Sequence, residues 1–441
     1  MDWTDEYERK MVSPEEAVGV IKAGNRVHFA YGVEPLALGM ALLRKSDEFR
    51  GKGIRLFVPA PGRHFDWYER GWEDIFSVEF GHILPVVHPM MRERRGDYLV
   101  GGVTWAPEPN LREGVDVLLL QLSPPDKNGF CSFGNSLWNK KTAVRSARMV
   151  LAEVNEHFIR TYGDNFIHVS EIDYFVEHKP SGKSPGSTDM FGRDTTVPGE
   201  VEKRTAENVA SLIRDGDTVE LGAGGVAEWI STLGVLDGKN DLGWHSENTP
   251  RGIATLVKKG VINGKRKTLH PGKAIATAVG GGRMEEMEYI DSNPLFELYE
   301  SKYVLDPRII AANDNMVAIN SSLSVDLTGQ IAAESLGPVM VAGTGGQLAF
   351  AIGVSLSRGG RSIVTLRSTA RGGTVSRIVP LLEQGAIVTV PRVLADYVVT
   401  EYGIAHLKGK TQRQRAQELI AISHPDFRPQ LEKEAKNLHW P

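Results

Sequence analysis

Residues 13–32 read SPEEAVGVIKAGNRVHFAYG and residues 205–224 read TAENVASLIRDGDTVELGAG, two stretches related by a constant offset of 192. Glu15 aligns with Glu207, Ile21 with Ile213, Gly24 with Gly216, Val27 with Val219 and Gly32 with Gly224, without a gap. Each stretch predicts a short helix opened by Ser or Thr at a capping position with Glu in its first turn. A glycine turn follows, and then a strand that runs into a second glycine. Helix-turn-strand units share this grammar, so single matches mean little. The unbroken register favours two domains of one fold.

Working outward, Lys179-Pro-Ser-Gly-Lys-Ser-Pro-Gly-Ser187, continuing through Pro198 and Gly199, is too rich in Pro, Gly and Ser for a helix or a central strand. It reads as a linker between an N-terminal domain, 1–195, and a C-terminal domain, 196–441. On both sides β-branched runs alternate with helical segments. Residues 115–122, 149–154, 317–320, 362–366 and 386–390 are expected as buried strands. The fold class is therefore α/β: two similar open α/β/α domains built on parallel sheets. Ligands of such sheets sit at the carboxyl ends of the strands, which directs attention to the glycine loops there.

A chain of 441 residues exceeds one ordinary core, and two domains of roughly 200 residues match its length. With 41% hydrophobic and 24% charged residues the composition is that of a globular protein. A formal charge of -4 offers no basic surplus for nucleic acid or anionic lipid, so any bound anion must be held locally. The acidic first ten residues lack the pattern of an export signal, and the longest apolar run, 115–122, is far short of the roughly 20 residues that cross a bilayer. Cys131 stands alone, so an internal disulfide and a cysteine metal site are excluded. A cytoplasmic protein is expected.

Two glycine loops compete for the functional reading. Val219-Glu-Leu-Gly222-Ala-Gly224-Gly-Val-Ala227 predicts a strand, a glycine turn and a helix over 227–233. Glycines there let backbone N–H groups approach an anion at a helix start. The loop also fits G-x-G-x-x-A, the dinucleotide fingerprint, although Asp241, at the spacing of a ribose-binding acid, sits in a segment that reads as a turn. The second loop, Val341-Ala-Gly343-Thr-Gly345-Gly346-Gln347, is costly in entropy and is explained by close approach to a ligand or by a tight hairpin. Between them lies Leu242-Gly-Trp-His245-Ser246-Glu247-Asn248-Thr-Pro250-Arg251-Gly252. By residue type alone Glu247 reads as a solvated side chain or a cap and His245 as structural, and His-x-Glu without a third ligand implies no metal.

The loops nevertheless match a family pattern. Over essentially its whole length the chain resembles the acetyl-CoA hydrolase/transferase family of class I CoA-transferases, especially its 4-hydroxybutyrate CoA-transferase group. The matching stretches include Ser123-Pro-Pro-Asp-Lys-Asn-Gly-Phe130, Val150-Leu-Ala-Glu-Val-Asn155, Ile167-His-Val-Ser-Glu-Ile-Asp173, Gly243-Trp-His-Ser-Glu247, Val325-Asp-Leu-Thr-Gly-Gln330, Gly343-Thr-Gly-Gly-Gln347, Val398-Val-Thr-Glu-Tyr-Gly403 and Ser423-His-Pro-Asp-Phe427. The resemblance implies two similar α/β/α domains with the active site between them, in a homodimer. It implies Glu247 as the nucleophile, CoA contacts from Gly222, Ala223, Gly224, Gly225, Val226, Asn320 and Gly343, and Glu401 in the substrate pocket. Two departures touch substrate choice: Ala349 stands where relatives commonly have Asp, and Asn248-Thr-Pro-Arg-Gly252 replaces a Met-Ile-Ser-Asp-Gly type run.

The implied chemistry is a ping-pong exchange of CoA between carboxylic acids, in which Glu247 becomes first a mixed anhydride and then a glutamyl-CoA thioester. A carboxylate suits this role because one thioester is stored as another. Fixed N–H donors must stabilise each tetrahedral intermediate, and the amides of Val226, Gly345 and Gly346 are the candidates. Both leaving groups are stable anions, so CoA is expected as substrate and no metal or permanent cofactor is expected. Arg251 is a candidate to pair with the distal carboxylate of an acid such as succinate or itaconate. Acyl-CoA hydrolysis and dinucleotide binding are the alternatives: a hydrolase releases CoA without an acceptor acid, and a dinucleotide binder exchanges no acyl group.

Overall fold

Ser13 accepts the Glu16 backbone N–H at 3.2 Å and so opens α1 (Pro14–Val18). The chain turns at Gly24, whose φ of 77° suits glycine, and enters β1 (Arg26–Phe29), buried along its whole length. In the computed structural model, which describes residues 3–101, 111, 113–177, 197–222, 224–280 and 284–439, these elements begin the first of two compact units. That unit comprises Met1–Arg193 with Thr277–Tyr303, and the second comprises Asp194–Ala276 with Val304–Pro441. The linker stretch 179–187 lies outside the described residues.

The first unit carries α2 (Leu36–Arg44) and adds β2 (Ile54–Val58), β3 (Phe76–Phe80), β4 (Asp97–Tyr98), β5 (Val115–Leu122), β6 (Ala147–Val154) and β7 (Tyr174–Glu177) to β1. They form one sheet in the order β7-β6-β5-β1-β2-β3-β4, and every pairing is parallel. The apolar run of β5 is buried on both faces, as a central parallel strand requires. The start of α2 has no capping side chain of its own. Glu153, fully buried on β6, accepts the backbone N–H groups of Leu36, Ala37 and Leu38 at 3.2, 2.7 and 3.2 Å and so serves the helix N-terminus from a neighbouring element.

The second unit repeats the opening. α3 (Glu200–Leu212) leads into β8 (Thr218–Leu221), which lies at the same offset of 192 from β1, residue for residue. Its sheet continues with β9 (Gly243–Thr249), β10 (Met316–Ser321), β11 (Arg361–Thr365), β12 (Tyr397–Thr400) and β13 (Gly403–His406). These run in the order β13-β12-β11-β10-β8-β9 and are parallel except for the β12–β13 hairpin. Before β11 the chain passes through α4 (Gln347–Leu356), which begins directly after the second glycine loop. In each unit the repeated strand is where the order reverses: the chain leaves β1 for β2 on one side and later returns to β5 on the other, as β8 is flanked by β9 and β10. Such switch points open a crevice at the carboxyl ends of the strands.

Three expectations are corrected. Thr205 does not cap a helix: α3 begins at Glu200, where the Glu202 side chain accepts the Gly199 N–H at 2.8 Å, and Thr205 is a buried interior residue whose hydroxyl bonds to the Val201 carbonyl at 2.7 Å. The helix over 227–233 is a single 3-10 turn, Ala227–Trp229, followed by irregular turns that include Gly234 with φ 74°. Residues 386–390 form no strand. Gly385 in the left-handed region and Pro391 bracket the run, Ile387 and Val388 are exposed, and an isolated bridge joins Val390 to Ile331.

Candidate active site

Glu247 enters the site from β9. Strand alternation places His245 and Glu247 on one face and Trp244 and Ser246 on the other. On the first face, His245 is fully buried against the Phe350 ring of α4, with Nε2 2.9 Å from the Val304 carbonyl oxygen. Burial pushes its pKa down to about 3, so it is neutral and structural. Two residues on, the same face brings the Glu247 carboxylate to the first turn of α4, where Oε2 accepts the Gly346 backbone N–H. A helix N-terminus is a favourable place for a carboxylate that must carry charge or be replaced by an oxyanion.

The two glycines of this turn differ in how closely they confront the Glu247 carboxylate. A Cβ on Gly346 would collide with the Glu247 carboxylate and approach Leu305 Cδ2 to 2.8 Å, whereas one on Gly345 would lie 3.6 and 3.7 Å from the two carboxylate oxygens. Gly346 has φ −74° and needs no special backbone freedom, so steric room alone demands glycine. The Glu247 side chain stays partly accessible, yet the protein crowded around it withholds enough water to raise its pKa to about 7, with the Gly346 amide opposing the shift.

The first glycine loop grows from β8, the neighbour of β9. Their register pairs Val219 with Trp244, and Ser246 Oγ lies 3.4 Å from the backbone of Leu221. Gly222 donates to the Ile319 carbonyl at 2.8 Å and tolerates no Cβ because Asn320 Oδ1 occupies that space. The Asn320 amide is oriented by Glu220, whose Oε2 accepts from Asn320 Nδ2 at 2.9 Å and from the Ile319 N–H at 3.1 Å. Glu220 is buried on β8, and desolvation together with the Glu247 charge holds its pKa well above the usual carboxylate range. Ser321 Oγ donates to the Gly224 carbonyl at 2.9 Å and accepts the Ala227 N–H at 3.3 Å, which fixes the far side of the loop. Gly224 and Gly225 take φ of 88° and 59°. Val226 is buried at the head of the 3-10 turn, and Ala223 lies outside the described residues.

Of the other expected residues, Gly343 precedes Thr344, whose hydroxyl bonds to Glu334 Oε2 at 2.8 Å, so a second acidic side chain braces that loop. Arg251 stacks its guanidinium 4.3 Å over the Trp229 ring, and its Nε and Nη2 are buried without a hydrogen-bond partner among the described residues. Glu401, between β12 and β13, accepts the Ser368 N–H at 3.0 Å and the Ser368 hydroxyl at 2.5 Å. The structure thus brings Glu247, Gly345 and Gly346 into one contact set and ties Gly222 to Asn320. Glu220 and Glu334 escaped sequence reasoning. The signal for Glu220 was present, as a lone carboxylate between Val219 and Leu221 in the strand expected to enter the glycine turn.

The chain that holds the Glu247 carboxylate at the start of α4, beside a glycine loop on the end of a neighbouring parallel strand, is similar to known proteins along its length. The acetyl-CoA hydrolase/transferase C-terminal domain model matches residues 282–435, and the N-terminal domain model of the same family matches residues 100–181. A 4-hydroxybutyrate coenzyme A transferase of Clostridium kluyveri is 44% identical over 439 residues, 99% of each chain. The chain belongs to the acetyl-CoA hydrolase/transferase family. Solved members share the architecture. RipA from Yersinia pestis superposes with a TM-score of 0.89 at 33% identity over the full length of both chains. A 4-hydroxybutyrate CoA-transferase from Porphyromonas gingivalis gives 0.77 at 34% identity over 99% of this chain and 100% of its own. This family member is accordingly an enzyme of the CoA-transferase class. Among the described residues no group of three or more His, Cys, Asp or Glu is placed to hold a metal ion, and no helix is long and apolar enough to cross a membrane.

Proposed function

We propose that this enzyme exchanges CoA between an acyl-CoA and a short-chain carboxylic acid through a glutamyl-CoA thioester on Glu247. A Glu247 carboxylate oxygen attacks the acyl carbonyl, the C–S bond breaks, and CoA leaves as thiolate. The thiolate attacks the glutamyl carbonyl of the resulting anhydride, and the original acid departs as carboxylate. The incoming acid reverses both steps and leaves as the new acyl-CoA. The observation that carries this reading is the carboxylate held at the Gly346 amide with its pKa raised to about 7. It is ionised enough at neutral pH to attack, and the same amide is placed for the oxyanion that replaces it.

For the acid, the names of the relatives support a 4-hydroxybutyrate-like substrate, and the unpartnered guanidinium atoms of Arg251 support a dicarboxylate such as succinate or itaconate. The two are separated by Arg251→Ala. The dicarboxylate reading predicts a loss of about tenfold or more in kcat/KM for succinate relative to butyrate, the scale of one charge-assisted pair. An unchanged ratio removes Arg251 from substrate choice. The reading includes a homodimer, which sedimentation of the purified protein checks, and a cytoplasmic location, which cell fractionation checks. The reaction class is tested by incubating acetyl-CoA or succinyl-CoA with and without a second acid. Transfer predicts consumption that requires the acceptor, whereas CoA release without an acceptor marks a hydrolase.

A further inference from the structure

At the carboxyl ends of β8, β10 and β11 lies a cavity of about 240 Å³ within the second unit. Its wall includes Gly225 and Val226 of the first glycine loop, Ser321 and Ser322 at the end of β10, and Arg367 and Arg377. We propose that this cavity is a phosphate subsite, in which Arg377 and Arg367 hold a phosphate group of the CoA nucleotide while the thioester end reaches Glu247. The proposal deepens the transferase reading and rests on it.

The two arginines are not equivalent. Arg367 is already paired, with Nε 2.7 Å from Glu202 Oε1. Arg377 is half-buried, and its guanidinium makes no hydrogen bond or ion pair with a described residue; the charges that act on it are Arg367, unfavourably, and Glu401. Desolvation and the neighbouring guanidinium press its pKa below the ordinary arginine value, a cost that a bound anion would relieve. Ser322, which lines the cavity, is 6% exposed, and its buried hydroxyl has no hydrogen-bond partner among the described residues. Glu228 adds one carboxylate to the wall, which leaves the lining side chains with a net positive charge.

Strand spacing selects the anion. The order β11-β10-β8-β9 puts three inter-strand steps between Arg367, just past β11, and Glu247, a separation of roughly 14 Å at about 4.8 Å per step. A two- to four-carbon acid joined to Glu247 does not cover that backbone separation. An extended pantetheine arm can, and it ends in the pyrophosphate and the phosphorylated ribose. The site would thus read the nucleotide end of the thioester rather than the acyl group.

The test compares acetyl-CoA with S-acetylpantetheine, which ends where the phosphates begin, with succinate as acceptor. In Arg377→Ala the ratio of kcat/KM for acetyl-CoA to that for S-acetylpantetheine is expected to fall about 30-fold, through KM rather than kcat, as loss of a charged hydrogen-bonding partner implies. Arg377→Lys keeps a point charge, guards against a folding defect and should lose less. Calorimetry with adenosine 3′,5′-bisphosphate should show weakened binding to Arg377→Ala, and acetyl-dephospho-CoA tells the 3′-phosphate from the pyrophosphate. An unchanged ratio in Arg377→Ala overturns the subsite. If the unaltered enzyme moves CoA to no acid at all, the transferase reading itself fails, so the two failures are distinguishable.

Discussion

Glu247 combines a cost to the fold with the chemical role proposed for it. Its folded pKa of about 7 lies above the ordinary 4.5, so the folded state holds the proton more tightly than the unfolded chain does. The stability this gives is complete below about pH 4.5 and is lost as pH rises toward 7, and above that a fixed penalty remains. Glu247→Gln should therefore raise stability at pH 8 by at most about 3 kcal/mol and change it little at pH 4.5, as thermal melts would show. In the unaltered enzyme the rate of acylation should rise with pH and level off above about 7, because only the carboxylate attacks. The glycines facing it give a sharper steric prediction. Gly346→Ala places a methyl group on the carboxylate and should cost at least about 100-fold in kcat, the scale of a lost oxyanion donor. Gly345→Ala, whose methyl would sit at ordinary contact distance, should stay within about tenfold. None of this geometry is legible in a sequence window, since Gly346 and Glu247 are 99 positions apart. The sequence supplied the residue types and the family pattern. The contact and the raised pKa come from long-range packing.

The elements show where local grammar suffices and where it fails. β1 and β8 lie at the predicted offset because a strand after a glycine turn is written in neighbouring residues. Helix starts are less secure: Thr205 has the residue type of a cap, yet the Gly199 and Glu202 pairing begins α3 a turn and a half earlier. Glu153 is the converse case. It falls in the family stretch 150–155 with no role apparent from spacing, and the structure shows it binding three amides of α2 from 115 or more positions away. Glu153→Ala leaves those donors and the Gln121 amide, 3.1 Å from Oε1, short of an acceptor inside a dry core. It should lower unfolding stability by about 3 kcal/mol, the scale of charged buried hydrogen bonds, measurable by urea titration. Glu153→Gln should lose less.

For the whole molecule, the duplication explains why the chain holds two parallel sheets whose repeated strand is a switch point. The second copy combines the first glycine loop, Glu247 on the adjoining strand and the helix start after the second glycine loop. In the first copy the position of Gly222 is taken by Ala30. The repeat revealed the architecture readily, but the division of labour between the copies rests on contacts that no internal comparison reveals. The proposed reaction depends on covalent chemistry at one side chain. Mass spectrometry of the enzyme after incubation with acetyl-CoA, followed by peptide mapping, tests it most directly. A CoA adduct on the peptide containing Glu247, absent from Glu247→Ala, is the predicted result; an adduct that persists on that variant, or maps to another residue, contradicts it.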